Sequence, residues 1–197
     1  MHDPDLASLL ASIRACARCR DLPLGPSPLL QASESARILI AGQAPGRKAH
    51  VSGLPFDDPS GDRLRQWLGV DRATFYDPAR IAIVPMAFCF PGTSPSGDLA
   101  PPPLCAESWR DQLLQRLPRI ELTLVLGQYA TQWHLPGHTG SLTQACVQWR
   151  DHLPHLLVLP HPSPRNNRWF KANPWFEDEV LPALRARVRS VLSIVAD

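Results

Sequence analysis

Four short apolar runs, separated by stretches with helical spacing, constrain the fold of this chain most strongly. The runs are residues 37–41, 81–85, 122–126 and 156–159. Their length and composition predict buried strands. Helices are predicted over residues 5–15, 62–68, 107–117, 128–133 and about 177–195. Because such alternation favours a parallel sheet covered on both faces, we predict an α/β fold with a central four-stranded parallel sheet.

The composition indicates a single globular domain over residues 1–197. Hydrophobic residues make up 44% and charged residues 19% of the chain, which argues against a disordered or membrane-spanning protein. No apolar run approaches the roughly 20 residues of a spanning helix. No basic segment precedes an apolar stretch at the start of the sequence, so we expect a cytoplasmic location and no membrane partner. The formal net charge of +2 does not by itself indicate a polyanionic partner, because clustering matters more.

Three unusual stretches each follow a predicted strand directly. They are GQAPG at 42–46, PMAFCFPG at 85–92 and PHPSPRNNRW at 160–169. Ligands in open parallel sheets bind outside the carboxyl ends of the strands, so we expect the three stretches to meet at one rim. A loop bounded by two glycines also lets an extended ligand approach main-chain N–H groups. The alternative for GQAPG is a plain connection between a strand and a helix.

Four of the five cysteines suggest a metal site. Cys16 and Cys19 form a C-x-x-C pair, and Cys89 and Cys105 flank a loop rich in Gly, Pro and Ser. In a cytoplasmic chain, such pairs favour metal or redox chemistry over a disulfide. The spacing does not choose between an iron-sulfur cluster and zinc, and a metal-free protein or unrelated buried thiols are the alternatives. Cys146 is left over and is predicted to be a packing residue.

Together these motifs resemble the uracil-DNA glycosylase superfamily, and most of all its iron-sulfur families 4 and 5. The matching segments are ordered along most of the chain: Cys16 and Cys19, 42–46, 53–64, Cys89, Cys105, 126–130 and 161–167. The resemblance implies a doubly wound α/β fold and a pocket for a flipped-out base. It also implies a [4Fe-4S] cluster on Cys16, Cys19, Cys89 and Cys105, away from the chemistry.

The resemblance also implies roles for individual residues. The backbone of the glycine loop, which comprises Gly42, Gln43, Ala44, Pro45 and Gly46, would line the base pocket. Gln43 stands where family 4 has a glutamate, and Ala44 stands where family 1 has a catalytic aspartate. The segment PFDDPSG resembles the family 5 segment in which an aspartate activates water, so Asp58 is the preferred catalytic acid. Gln43 is the alternative group for positioning the water, and Asp57 and Asp62 are substitutes for Asp58 that could equally be surface acids. A turn-forming role is the alternative for Asp58 itself.

Two further side chains would complete the pocket. Phe56 matches the aromatic residue that stacks on the extruded base. His161 matches the histidine of the HPS motif, which donates a hydrogen bond as charge develops on the leaving base, and Ser163 would bind substrate beside it. Pro85 and Met86 lie near the place where uracil-specific members carry an asparagine. Uracil and deaminated or alkylated purines therefore all stay open as substrates.

The segment 161–176 has the composition of a DNA-contacting surface. It contains Arg165, Arg168 and Lys171, no acidic residue, and several aromatic residues. We predict DNA contacts from these three cations and from Asn166, with Arg165 at the position of a wedging leucine in family 1. Solvated loop cations are the alternative. Trp175 and Phe176 are predicted to pack in the core, and His134 and His138 to lie on the surface.

The sequence thus favours a monomeric DNA glycosylase that releases a damaged base. The alternative from another class is a superfamily member that binds DNA without glycosylase activity, since Gln43 and Ala44 both replace acidic residues. A small-molecule α/β hydrolase with a phosphate loop ranks last, because GQAPG lacks the lysine and Ser/Thr of a P-loop.

Overall fold

The computed structural model describes residues 5–95 and 97–193. Its main sheet contains the strands β1 (Ile38–Ala41), β2 (Ile81–Ile83), β5 (Leu122–Leu126) and β6 (Leu156–Leu159). All neighbouring strands are parallel, in the order β2-β1-β5-β6. A separate two-stranded antiparallel hairpin is formed by β3 (Thr93–Ser94) and β4 (Gly97–Asp98). The predicted α/β fold with four parallel strands is confirmed.

Helices surround the sheet. They are α1 (Leu6–Arg14), α2 (Arg47–Ser52), α3 (Pro59–Leu68), α4 (Arg72–Phe75), α5 (Pro103–Gln115), α6 (Gln128–His134), α7 (Leu142–Val147), α8 (Trp149–His152), α9 (Asn167–Ala172) and α10 (Leu181–Leu192). A 3₁₀ turn over Pro164–Asn166 precedes α9, and a π-helical segment over Phe176–Val180 leads into α10. No helix in these described residues has the length and apolar character needed to span a membrane.

Both faces of the sheet are buried, as the apolar runs predicted. On one face, strand residues such as Ile38 and Ile40 pack with Leu64 of α3 and Leu184 of α10. On the other face, Leu39 packs in a cluster with residues of α1 and α5. A third cluster joins the same face to α6 and α7 and includes the buried Cys146. Because successive strand side chains point to opposite faces, a strand covered on both sides must be apolar throughout.

Several element bounds differ from those predicted. The helix predicted over 62–68 begins at Pro59, because Asp58 caps it and proline fits the first turn. The helix predicted over 107–117 runs instead over Pro103–Gln115. The strand predicted over 81–85 ends at Ile83. The last helix ends at Leu192, and the final residues predicted for it lie outside the described chain.

Candidate active site

The three stretches that follow strands converge at the carboxyl end of the sheet. They surround a cavity of about 310 Å³, to which the glycine loop contributes Gly42, Ala44, Pro45 and Gly46. The first turn of α3 contributes Asp58, and the segment after β6 contributes His161 and Ser163. This volume lies at the lower end of the range typical of small-molecule pockets. The carboxylate and the imidazole predicted from the sequence therefore share one cavity.

The glycine loop is fixed against the neighbouring strand end. The main-chain oxygens of Gly42 and Gln43 accept hydrogen bonds from the N–H groups of Met86 (2.8 Å) and Ala87 (3.0 Å). A Cβ atom at Gly42 would lie 3.4 Å from Cζ of Phe56. The Phe56 ring thus lies directly against the loop at Gly42, and the ring lines the cavity.

Phe56 itself has a left-handed backbone with φ of 58°, which is unusual for a bulky residue. Its conformation depends on Gly61, because a Cβ there would lie 1.8 Å from the Phe56 carbonyl oxygen. The same carbonyl accepts a hydrogen bond from the buried guanidinium of Arg65 at 3.4 Å. Arg65 also lies over the rings of Phe75 and Tyr76. Side chains of α3 and α4 therefore hold the aromatic wall in place.

Asp58 caps a helix and also lines the cavity. Its Oδ1 accepts a hydrogen bond from Gly61 N at 2.9 Å and caps the start of α3. Its Oδ2 lies 3.6 Å from the position that a Cβ at Gly46 would occupy. One carboxylate oxygen thus stabilises the helix, while the other faces the glycine loop in the cavity.

His161 is oriented by its own loop. Its Nδ1 accepts a hydrogen bond from Ser163 N at 3.2 Å, and its carbonyl oxygen accepts one from Nδ2 of Asn166 at 2.7 Å. Burial lowers the pKa of His161, although the charges of Asp58 and Asp98 oppose that shift. A neutral imidazole that accepts at Nδ1 carries its proton on Nε2. His161 can therefore donate one hydrogen bond to a ligand through Nε2.

Not all predicted site residues meet in the cavity. Gln43 does not line it, and its amide donates instead to the Leu99 carbonyl oxygen at 2.9 Å. Asn166 supports the His161 backbone from behind. Arg165 does line the cavity, whereas Arg168 and Lys171 are exposed on α9, outside it. The segment that carries these three cations has no acidic residue, as a surface for phosphates would require.

Sequence reasoning missed two charged residues near the site. Asp98, at the end of the β3–β4 hairpin, lines the cavity. Arg110 of α5 is fully buried and donates to the carbonyl oxygens of Val84 (2.8 Å) and Pro85 (3.1 Å). The sequence carries no indication of either role. Asp98 lies among small residues typical of a loop, and Arg110 lies on a helix, where an arginine usually faces solvent.

Arg110 also overturns the prediction for His134. Nη2 of Arg110 lies 2.7 Å from Nε2 of His134, so this half-buried histidine is a partner of a buried cation and not a freely solvated side chain. Burial and the neighbouring positive charge lower the pKa of His134 to about 4. The imidazole is therefore neutral near pH 7 and accepts the hydrogen bond from Arg110. The guanidinium of Arg110 thus connects His134 to the end of β2, where Pro85 lines the cavity.

The four predicted metal-binding cysteines come together elsewhere. Cys16, Cys19, Cys89 and Cys105 line one small cavity, together with apolar side chains such as Trp109. Burial raises the pKa of Cys89 and raises that of Cys105 to about 11. Within residues 5–95 and 97–193, no group of three or more His, Cys, Asp and Glu side chains is arranged to hold a single metal ion. Convergence of four thiols on one pocket nevertheless fits a four-thiolate group such as a cluster.

Comparison with known proteins gives one similar structure and one matching family model. The chain is similar to the solution NMR structure of a "putative Uracil DNA glycosylase" from Methanosarcina acetivorans, at 19% identity and a TM-score of 0.46. That similarity covers 79% of this chain and 93% of the other. A family model of the uracil DNA glycosylase superfamily matches residues 30–185, which include the glycine loop, Asp58 and His161. This chain therefore belongs to the uracil DNA glycosylase superfamily.

Proposed function

We propose that this protein is a monofunctional DNA glycosylase, which hydrolyses the N-glycosidic bond of a flipped-out damaged base and leaves an abasic site. The observation that carries the proposal is the shared cavity of Asp58 and His161. Hydrolysis of this bond passes through an oxocarbenium-like sugar while the leaving base becomes electron-rich. A carboxylate and a hydrogen-bond donor in one pocket supply the two groups that such a transition state needs.

In this proposal Asp58 orients and deprotonates the attacking water. Its free oxygen, Oδ2, faces the cavity, while the bond from Gly61 N to Oδ1 fixes the direction of the carboxylate. Nε2–H of His161 donates to the departing base. Gln43 is less suited to position the water, since its amide is bonded to Leu99 outside the cavity.

The base would stack on Phe56, whose fixed ring forms a wall of the cavity. Extrusion of a base costs a few kcal/mol, which contacts of this kind must offset. Phosphate contacts from Arg165, Arg168 and Lys171 would hold the DNA in register. All three cations lie on the segment that follows β6, and one of them, Arg165, lines the cavity.

The part of the cavity lining at the end of β2 supports a substrate class wider than uracil. Ile83 and Pro85 line the cavity at the end of β2. The Val84 and Pro85 carbonyl oxygens accept hydrogen bonds from Arg110, and a proline has no N–H to offer. This wall therefore selects a base by shape more than by hydrogen bonding. We include uracil and deaminated or alkylated purines among the proposed substrates.

The test is a panel of duplex and single-stranded oligonucleotides, each containing uracil, hypoxanthine, xanthine or an alkylated purine. After incubation, alkali cleaves any abasic site, and strand scission reports base release. We expect scission with at least one of these bases. Duplex binding without scission for every base would instead favour a DNA-binding protein without glycosylase activity.

We further propose that Cys16, Cys19, Cys89 and Cys105 hold a [4Fe-4S] cluster, as in families 4 and 5. The four thiols line one pocket, and the cluster would cross-link the segment after α1, the segment after β2 and the start of α5. Zinc in the same thiolate pocket is the alternative.

Anaerobically purified protein is expected to be brown and to contain about four iron and four sulfide per chain. Cys89→Ser should lower the iron content and the visible absorbance. Cys146→Ser is the matched control, because Cys146 is buried in the core away from that pocket. A colourless protein with bound zinc would contradict the iron assignment.

A further inference from the structure

The β3–β4 hairpin brings a second carboxylate into the candidate active site. Asp98 pairs with Thr93 across the hairpin, and both residues line the cavity. A hydrogen bond from Leu99 N to the Gly92 carbonyl oxygen, at 2.9 Å, continues the pairing beyond Asp98. The hairpin backbone therefore determines where the Asp98 carboxylate lies.

Asp98 and Asp58 approach the glycine loop at the same point. Oδ2 of Asp58 and Oδ2 of Asp98 lie 3.6 Å and 3.7 Å from the position that a Cβ at Gly46 would occupy. Both carboxylates therefore face the same part of the glycine loop, where a small donor held between them would meet two acceptors. A water molecule has the two O–H groups that such a pair requires.

Gln43 connects the hairpin to the glycine loop. Its Nε2 donates to the carbonyl oxygen of Leu99, the residue after Asp98, at 2.9 Å. The main-chain carbonyl oxygen of Gln43 accepts a hydrogen bond from Ala87 N at 3.0 Å, so both the backbone and the side chain of this glutamine are held. Gln43, which stands where family 4 has a glutamate, thus holds the hairpin segment that carries Asp98.

The hairpin also contacts the basic segment. A Cβ at Gly97 would lie 2.7 Å from Nη1 of Arg165, so the guanidinium lies directly against the hairpin backbone beside Asp98. Because Gly97 has a φ of 135°, which L side chains rarely adopt, its backbone suits glycine for a second reason. The hairpin is therefore packed between the glycine loop and the segment that follows β6.

We propose that Asp98 is a second catalytic carboxylate and that Gln43 is its positioning residue. The inference rests on the proposed glycosylase function. The attacking water donates one hydrogen bond to Asp58 and the other to Asp98. As the water oxygen bonds to C1′, the C1′–N bond breaks with its electron pair leaving on the base, and Asp58 takes the water proton. Asp98 stays anionic and stabilises the positive charge on the sugar.

The first measurement compares single-turnover base release by the wild type and Asp98→Asn, with the best base from the oligonucleotide panel. We expect the variant to be about 10- to 100-fold slower, in line with the loss of one preorganised charged group. Its affinity for DNA should be equal or higher, because a negative charge beside a polyanion is removed. Asp151→Asn is the matched control, since Asp151 is exposed on α8 and does not line the cavity.

The second measurement tests whether the charge of Asp98 acts inside the cavity, which a purely structural role of this residue would not require. NMR titration of His161 should show its midpoint at lower pH in Asp98→Asn, because the Asp98 charge favours the protonated imidazole. The other charged groups that line the cavity, Asp58, Arg47, Lys48 and Arg165, are unchanged by this substitution. The titration requires no turnover.

The third measurement tests Gln43 by a double-mutant cycle. Gln43→Ala should slow base release in the wild-type background and have little further effect when combined with Asp98→Asn. Additive losses would overturn the positioning role. If the wild type is active and Asp98→Asn is equally fast, the catalytic role of Asp98 is overturned, while the proposed glycosylase function stands. A wild type inactive on every base would overturn both this inference and the proposed function.

Discussion

Replacing Asp58 with asparagine is expected to slow single-turnover base release about 10²- to 10⁴-fold, the range for loss of a positioned general base. An amide cannot take the proton of the attacking water, although it has nearly the size and shape of the carboxylate. The affinity for DNA should be equal or slightly higher, because Asp58 is proposed to act on the water and its replacement removes a negative charge beside a polyanion. Rapid-quench assays with saturating enzyme, together with equilibrium binding, separate the two quantities.

The fold should survive this substitution. Asn is as good a helix cap as Asp, so the bond from Gly61 N to the residue at 58 is retained. Asp71 supplies a matched control, because its Oδ1 caps α4 by accepting from Thr74 N at 2.7 Å, outside the cavity. Asp71→Asn should leave both the rate and the thermal stability unchanged. Full activity in Asp58→Asn would show that another group activates the water.

Replacing His161 with asparagine is expected to slow base release about 10²- to 10³-fold, the usual effect of losing one hydrogen-bond donor to a developing anion. Asn retains an acceptor near the position of Nδ1, so the turn through Ser163 N is preserved. It lacks a donor near the position of Nε2. His161→Gln places an amide N–H closer to that position, and we expect it to recover part of the lost rate.

The charge state of His161 gives this prediction a second test. Burial lowers the pKa, so the imidazole should titrate below the ordinary value of about 6.5 and be neutral when the enzyme works near pH 7. Because a lowered pKa means that the folded state resists protonation, His161 contributes stability above pH 6.5 that is lost as the pH falls through the midpoint. A ¹⁵N spectrum with the proton on Nε2 at neutral pH would agree. A rate for His161→Asn equal to that of the wild type would contradict the donor role.

The two catalytic predictions concern groups on different segments. Asp58 is held by the start of α3, and His161 is held by the turn after β6. Arg63 of α3 connects them, since it donates to the Ser163 carbonyl oxygen at 3.2 Å and to Oδ1 of Asn167 at 2.8 Å. Arg63 thus ties the start of α3 to the segment that carries His161.

The strands of the main sheet were predictable from the sequence to within two residues at each end. Parallel strands buried on both faces must be apolar throughout, so each one appears as a short continuous run. The run 81–85 was read two residues too long because Val84 and Pro85 are apolar. Their carbonyl oxygens bind the side chain of Arg110, which no local pattern could indicate.

The short helices were harder to predict. Five of them, α2, α4, α7, α8 and α9, have only four to six residues each. A segment of that length completes fewer than two helical turns, so it shows no repeated apolar spacing. Capping residues were the available signal. Asp71 and Ser141 stand at the starts of α4 and α7, where their side chains accept main-chain N–H bonds.

The sequence by itself determined the four-stranded sheet, the rim where its loops meet, and the presence of Asp58 and His161 at that rim. The sheet and the rim follow from local patterns, because burial dictates apolar strands and chain direction places the loops that follow them at one edge. The roles of Asp58 and His161 were implied by the resemblance of their motifs to the glycosylase superfamily. Only the tertiary structure decided that Asp98 joins Asp58, that Gln43 faces Leu99, and that Arg110 is buried behind the cavity. Each of these depends on contacts between segments far apart in the chain, and the residue types alone do not specify such contacts.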